Sequence, residues 1–182
     1  MTALIDRLAR EHLLTLEEYQ ALIEHRTPEL AAYLANLAEE QRQAVYGTDI
    51  YIRGLIEISN ICKNDCLYCG IRRSNRNCQR YRLSPAEILE CCDEGYRLGF
   101  RTFVMQGGED GWFTDEQLVP LIREIKARHP DCAVTLSVGE WEREAYQEWF
   151  DAGADRYLLR HETANPDLYR ALHPAELSLE NR

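Results

Sequence analysis

No stretch of this sequence approaches the roughly 20 consecutive apolar residues that a membrane-crossing helix needs. The opening MTALIDRLAREHLL also lacks the basic region, apolar run and small-residue cleavage site of a secretion signal. These two absences predict a chain with no membrane contact that stays in the cytoplasm. Basic charge is short as well: 21 Lys and Arg stand against 31 Asp and Glu, a formal net charge of -10. Phosphate backbones call for a positive face, so nucleic acid is not expected as a partner. Nothing points to disorder, because 45% hydrophobic and 29% charged residues over 182 positions are enough to fold around one sizeable core.

A more local shortage lies in residues 62–70, which read CKNDCLYCG. Three cysteines are separated by three and then two residues, and no fourth follows at a comparable spacing. The chain has seven cysteines and no export signal, so reduced thiols used for metal or redox work outrank disulfides. Three readings of the cluster stand side by side. A structural zinc takes four protein ligands, and a three-ligand catalytic zinc more often includes histidine. A 4Fe-4S cube held by three thiolates keeps one iron open. Chance grouping is the third. Cys78, Cys91, Cys92 and Cys132 stand apart and read as buried, inert thiols, since free cysteine behaves as a small hydrophobe.

The pattern along the chain changes near residue 49. Residues 1–48 form a helical N-terminal extension, with start signals at Thr15 followed by Glu18 and at Thr27 followed by Pro28. Leu30, Leu34, Leu37 and Val45 recur at helical spacing and predict a buried stripe. From 49 to 182, short β-rich runs alternate with capped helices, the signature of successive βα units on a parallel sheet. The predicted strands are YIRGLIEIS, RTFVMQ, AVTLSV and DRYLLR. The helices between them start at Ser84 with a Pro85 and Glu87 capping box, at Thr114 with Gln117, and at about Glu140; the last is capped by Asn165 ahead of Pro166. Pro120 inside the second of these should kink it. Four such units predict the first half of a (βα)8 TIM-type barrel, and four strands cannot close one, so the sequence is expected to be the N-terminal part of a longer protein.

In a parallel barrel the catalytic groups gather where strands end and helices begin. The four predicted strand ends lead into CKNDCLYCG, QGGED, SVGE and RHET. Gly107 and Gly108 let backbone approach a ligand closely, and Glu109 can accept hydrogen bonds from an ammonium group. A glycine pair alone is more often just a turn, and its weight here comes from its position at a strand end. Ser137 and Glu140 can meet substrate or ribose hydroxyls or can cap a helix. Arg160, His161 and Glu162 put charge where a strand should be buried, which is costly without a purpose. Five arginines in IRRSNRNCQRYR, residues 71–82, can face an anionic cluster or carboxylate substrate, or simply lie in water.

The C-x3-C-x2-C spacing after a first strand, with aromatic Tyr68 directly before the last cysteine, resembles the radical S-adenosylmethionine (SAM) superfamily. QGGED resembles its GGE element. The resemblance implies an enzyme whose 4Fe-4S cluster is held by Cys62, Cys66 and Cys69, with SAM chelating the open iron. It implies SAM contacts from Tyr68, Gly107, Gly108, Glu109, Glu140, Arg160, Glu162 and Arg182, with Arg182 pairing the SAM carboxylate, and substrate contact from Ser137. The stretches YIRGLIEISNICKNDCLYCGIRRSN, RYRLSPAEILECCDEGYRLGFRTFVMQGGED and DRYLLRHETANPDLYRALHP resemble the group holding biotin synthase, methylornithine synthase and a maturase of FeFe-hydrogenase. The maturase resemblance implies assembly of the di-iron part of the H-cluster, a small iron complex or other small molecule as substrate, other maturases as partners and an electron donor such as ferredoxin or flavodoxin. The alternatives are lysine rearrangement, a biotin synthase-like reaction, and a non-catalytic iron-sulfur or zinc scaffold. No second set of cluster cysteines of the kind biotin synthase requires is found here.

Overall fold

The computed structural model describes residues 1–181. The chain divides into two compact units, Met1–Tyr51 and a second that begins at Ile52. The first holds three helices, α1 (Thr2–Glu11), α2 (Leu16–Glu24) and α3 (Pro28–Tyr46). α2 starts as its sequence dictates: the Thr15 hydroxyl accepts from the Glu18 N–H, and the Glu18 carboxylate accepts from the Thr15 N–H at 2.9 Å. α3 starts at Thr27, whose hydroxyl accepts from the Leu30 N–H, with Pro28 in its first turn. The predicted stripe on α3 is not buried; Leu34 is 41% and Val45 69% exposed. Periodicity marks a face on a helix without supplying an element to cover it. Among the described residues no helix is long and apolar enough to cross a membrane.

The second unit alternates β1 (Gly54–Ser59), α4 (Pro85–Arg97), β2 (Thr102–Gly107), α5 (Asp115–Arg128), β3 (Ala133–Ser137), α6 (Arg143–Ala152), β4 (Arg156–Tyr157) and α7 (Pro166–Leu172). Each strand pairs in parallel with the next, in the order β1-β2-β3-β4. A doubly wound sheet reverses its order at a switch point within its first four strands, as in 3-2-1-4; four parallel strands that keep chain order match one arc of a barrel, with all their strand-to-helix loops on one edge. The register shifts once, between Glu57 and Ser59; Ser59 then stands opposite Gly107 and Gln106 opposite Ser137, so the ends of the first three strands lie at nearly one level.

Local signals account for most helix boundaries. Ser84 and Glu87 form a reciprocal capping box ahead of Pro85, Gly99 follows the helix in the left-handed region at φ 98°, and Asn165 caps α7 by accepting from the N–H groups of Asp167 and Leu168. Thr114 stands at the start of α5 without a side-chain cap, and the helix continues through Pro120 to Arg128. Two predicted boundaries move. α6 starts at Arg143 rather than near Glu140, because Gly139 turns at φ 97° and the Trp141 N–H is taken by the Tyr146 hydroxyl. β4 shrinks to two residues, although the Leu158 N–H still donates to the Leu136 carbonyl.

The core lies between the sheet and α4, α5 and α6, with Ile58, Phe103, Met105, Ile122, Val134 and Leu136 fully or almost fully buried. Gly95 lets α4 press on β2, since a Cβ there would stand 2.9 Å from the Phe103 ring. Trp149 anchors α6 at 1% exposure, its ring 5.5 to 5.8 Å from those of Trp141, Tyr146 and Tyr157. Cys92 and Cys132 are the inert core thiols expected, and burial pushes the Cys92 thiol up to about 12. Cys91 is exposed and Cys78 half-buried, contrary to expectation; neighbours on a helix point in different directions, so Cys91 faces water when Cys92 faces the core. Trp149→Ala should destabilise the chain by about 3–5 kcal/mol in urea denaturation. The same change at neighbouring Phe150, 66% exposed, should shift stability by no more than about 0.5 kcal/mol.

Candidate functional site

Irregular backbone cannot satisfy its own polar groups as a helix does, so a loop that must hold its shape needs side chains to do so. The loop of residues 60–82 between β1 and α4 is held mainly by two arginines. The Arg80 guanidinium donates to the carbonyls of Asn60, Ile71, Arg72 and Asn75. Arg82 forms two parallel bonds to the buried Asp110 carboxylate, at 2.8 and 2.7 Å, and Asp110 also accepts from the Ser59 hydroxyl at 2.7 Å and the Trp112 N–H at 3.1 Å. Burial alone would raise the Asp110 carboxyl; the bonds from Arg82, Ser59 and Trp112 outweigh it and hold the group below the usual carboxylate range. Asn60 completes the frame, accepting from the Tyr81 N–H and donating to the Gln79 carbonyl, both at 2.8 Å.

Glycine brings the next loop close. A Cβ on Gly108 would stand 2.2 Å from the Ile61 carbonyl and 2.8 Å from Cys62 Cβ, so no other residue fits without moving the cysteine loop. The Lys63 N–H donates to the Glu109 carbonyl at 3.0 Å, and the Lys63 ammonium pairs with the Glu109 carboxylate at 3.4 Å. Gly139 serves the third loop in the same way, because a Cβ there would fall 2.0 Å from Glu109 Cγ. In the fourth loop Glu162 adopts φ 66°, a left-handed conformation that costs a non-glycine residue about 1–3 kcal/mol. The cysteine loop also meets α7: the Leu67 N–H donates to the Leu172 carbonyl at 2.8 Å, and the Tyr68 hydroxyl lies 2.8 Å from His173 Nε2. His173 Nδ1 faces the Tyr169 carbonyl at 2.9 Å and must donate there, which leaves Nε2 of the neutral ring to accept from Tyr68.

These loops enclose a cavity of about 370 Å³. Cys62, Cys66, Cys69 and Tyr68 line it from the first loop, Gly107, Gly108 and Glu109 from the second, Ser137 from the third, and Arg160 and Glu162 from the fourth. Arg160 reaches within 3.5 Å of the Gly107 carbonyl. Glu140 lies outside this cavity, in an adjoining one of about 70 Å³ that it shares with Lys63 and Glu109. Arg182 lies outside the described residues. Among the described residues no three His, Cys, Asp or Glu side chains are gathered closely enough for a single metal ion. Three thiols spread round one cavity instead suit a polynuclear iron-sulfur group, whose irons each take a separate thiolate.

Sequence reading missed two parts of this arrangement. One is the Asp110, Arg82 and Ser59 node, which the cost of a carboxylate beside a predicted buried strand end signals in principle. The other is the Tyr68 and His173 contact, for which the sequence carries no local sign. The arginine run is also used differently from its reading, with Arg80 and Arg82 turned into the loop's own frame.

The comparisons with known proteins agree with this geometry. The family model for the radical SAM superfamily matches residues 56–181. The curated [FeFe] hydrogenase maturase subunit HydE of Thermotoga maritima is 50% identical over 149 residues, covering 82% of this chain and 42% of that protein. The chain thus spans less than half the length of that relative. Among solved structures, methylornithine synthase (PylB) superimposes with a TM-score of 0.79 at 26% identity, over 98% of this chain and 52% of that one. HydG, a maturase of the [FeFe]-hydrogenase, gives a TM-score of 0.82 at 25% identity, over 95% and 39%.

The node around Asp110 has a pH signature. A carboxylate whose folded value is depressed stabilises the fold above its unfolded value near 3.9, and that contribution is lost as pH falls through the lower folded value. Asp110→Asn should therefore cost about 3 kcal/mol at neutral pH. Urea midpoints of wild type and variant should converge at acidic pH, and a gap that stays constant through this range would mean that Asp110 is not the titrating partner.

Proposed function

The chain belongs to the radical SAM superfamily, and on that premise we propose that its cavity holds an open-site 4Fe-4S cluster and SAM, in an enzyme that matures the di-iron part of the FeFe-hydrogenase H-cluster. The observation that carries the reading is the convergence of Cys62, Cys66 and Cys69 with Gly107 to Glu109, Ser137, Arg160 and Glu162, contributed by four successive strand ends to one cavity. The 50% identity to the HydE subunit of Thermotoga maritima supports the hydrogenase assignment. When bound, the cluster and SAM supply one-electron reductive cleavage of the sulfonium carbon-sulfur bond and a 5'-deoxyadenosyl radical that acts on the substrate.

This chain's residues bind and orient. The thiolates of Cys62, Cys66 and Cys69 would hold the cluster, leaving its open iron to the amino and carboxylate groups of SAM. Backbone of Gly107 and Gly108 lines the cavity, and the absent Cβ of Gly108 lets the cysteine loop pack against it. Glu109 would accept from an N–H of the SAM amine, in exchange for its pairing with Lys63. Tyr68, Arg160, Glu162 and Arg182 complete the SAM contacts, and Ser137, 2% exposed at the end of β3, touches the substrate. A cavity of this size suits a small molecule or small iron complex. An electron donor and partner maturases complete the system, in a cytoplasm that keeps thiols reduced. The likeness to methylornithine synthase supports a second reading, rearrangement of lysine.

The test is electron paramagnetic resonance on anaerobically reconstituted, dithionite-reduced chain. A 4Fe-4S signal that shifts on adding SAM is the expected result, and a signal indifferent to SAM would sink the open-iron assignment. Iron analysis extends it: Cys62→Ala, Cys66→Ala or Cys69→Ala should lose the cluster, while Cys91→Ser, changed on the exposed face of α4, should keep wild-type iron. Product assays with a hydrogenase maturation mixture and with lysine then separate the two substrate readings.

A further inference from the structure

Charge is unevenly distributed along this chain. Residues 60–82 carry six basic side chains and one acidic one, while the rest of the chain carries fifteen and thirty. The loop that presents the thiols is therefore a basic island in an acidic protein. Arg80 is engaged inside the loop, Arg82 pairs with Asp110, Lys63 pairs with Glu109, and Arg72 lines the cavity while donating to the Leu67 carbonyl. Arg76 has no such engagement among the described residues, and Arg73 acts through its charge on the nearby Asp65 carboxylate. Both are exposed, neither lines the cavity, and neither is in a salt bridge among the described residues. The segment's single acid, Asp65, accepts from the Ser74 N–H at 3.0 Å. The same loop turns Leu67 to solvent at 62% exposure and Tyr68 at 44%.

We propose that this outer face of the cysteine loop, Arg73 and Arg76 with exposed Leu67, is the docking surface for an acidic one-electron carrier protein. The proposal rests on the cluster reading above. A cluster on Cys62, Cys66 and Cys69 needs one electron from outside for each SAM cleaved. The carrier's flavin or iron-sulfur centre loses that electron and the cluster gains it, with no bond or proton transferred. Electron transfer favours the shortest path, and the loop that holds the three thiolates provides it. The acidic remainder of the chain repels an acidic carrier elsewhere, so the basic island selects both the place and the orientation of encounter. Leu67, exposed on the same loop, adds apolar contact area to these charges.

The first experiment titrates an oxidised, acidic flavodoxin against the full chain without its cluster, at low and high salt, for wild type and the Arg73→Glu, Arg76→Glu double variant. Expected are a Kd raised at least about tenfold in the variant and a wild-type affinity that falls with salt. Equal affinities overturn the proposal, as does tighter binding of a short single-stranded oligonucleotide than of flavodoxin, which would make the face a polyanion site. The second experiment follows reduction of the reconstituted cluster. Reduced flavodoxin should reduce the variant about tenfold more slowly than wild type, while dithionite, a small reductant that needs no docking, should reduce both equally. A normal dithionite signal with flavodoxin kinetics insensitive to the charge reversal overturns the docking surface alone. Absence of any cluster signal with dithionite in wild type overturns the cluster reading, and the donor role with it.

Discussion

The site depends on one buried carboxylate. Asp110 follows the glycine pair at the end of β2 with its side chain 3% exposed, and a charge so placed persists only if it is answered. The answer comes from two directions: Ser59, the last residue of β1, and Arg82, the last residue of the cysteine loop. The carboxylate therefore ties together the point where the loop leaves the sheet, the point where it returns, and the neighbouring strand end. Once those points are fixed, a 23-residue excursion becomes a bounded loop. Arg80 then fills its interior by gathering four carbonyls that no helix or strand would have paired.

Within that frame, proximity is set by missing atoms. Gly108 is pressed against Ile61 and Cys62, and Gly139 against Glu109, so the first, second and third strand-end loops are in van der Waals contact in sequence. Each contact would be broken by a single methyl group. The part of the cavity wall that these contacts build, from Gly107 and Gly108, is backbone, which has little freedom to lose when a ligand binds. Glu162 in the left-handed region adds a residue held against its local preference, a conformation that persists where the surroundings over-determine it.

How much of this is legible in the sequence follows the range of the interactions concerned. The capping boxes at Thr15 with Glu18 and Ser84 with Glu87 are contacts over three residues, and both form as read. The order of βα units is likewise local in origin, and it alone places CKNDCLYCG, QGGED, SVGE and RHET on one edge of the sheet. Features that need a distant partner fare worse. The α3 stripe finds no cover, and β4 keeps two of its six predicted residues. Asp110, Arg82 and Ser59 lie up to 51 residues apart in the chain. Nothing in a window of ordinary length relates them, although the price of an unpaired buried charge requires that some partner exist.

Sheet order raises a final point about how the cavity is closed. β1 and β4 lie at opposite edges of the four-stranded sheet, so their loops are the two least expected to meet. They are nevertheless joined, because α7 follows the fourth loop back toward the first, where Leu172 accepts from Leu67 and His173 meets Tyr68. Tyr169 stacks on the His173 ring with centroids 3.7 Å apart and fixes its plane, and its carbonyl fixes the proton on Nδ1. The ring can then face Tyr68, next to Cys69, in one orientation only. The rim of the cavity is thus continuous within residues 59–173, from Ser59 through the three glycine-packed loops to α7 and back to the cysteine loop. The fourth βα unit acts on the thiol-bearing loop directly and does not depend on the sheet between them to transmit its position.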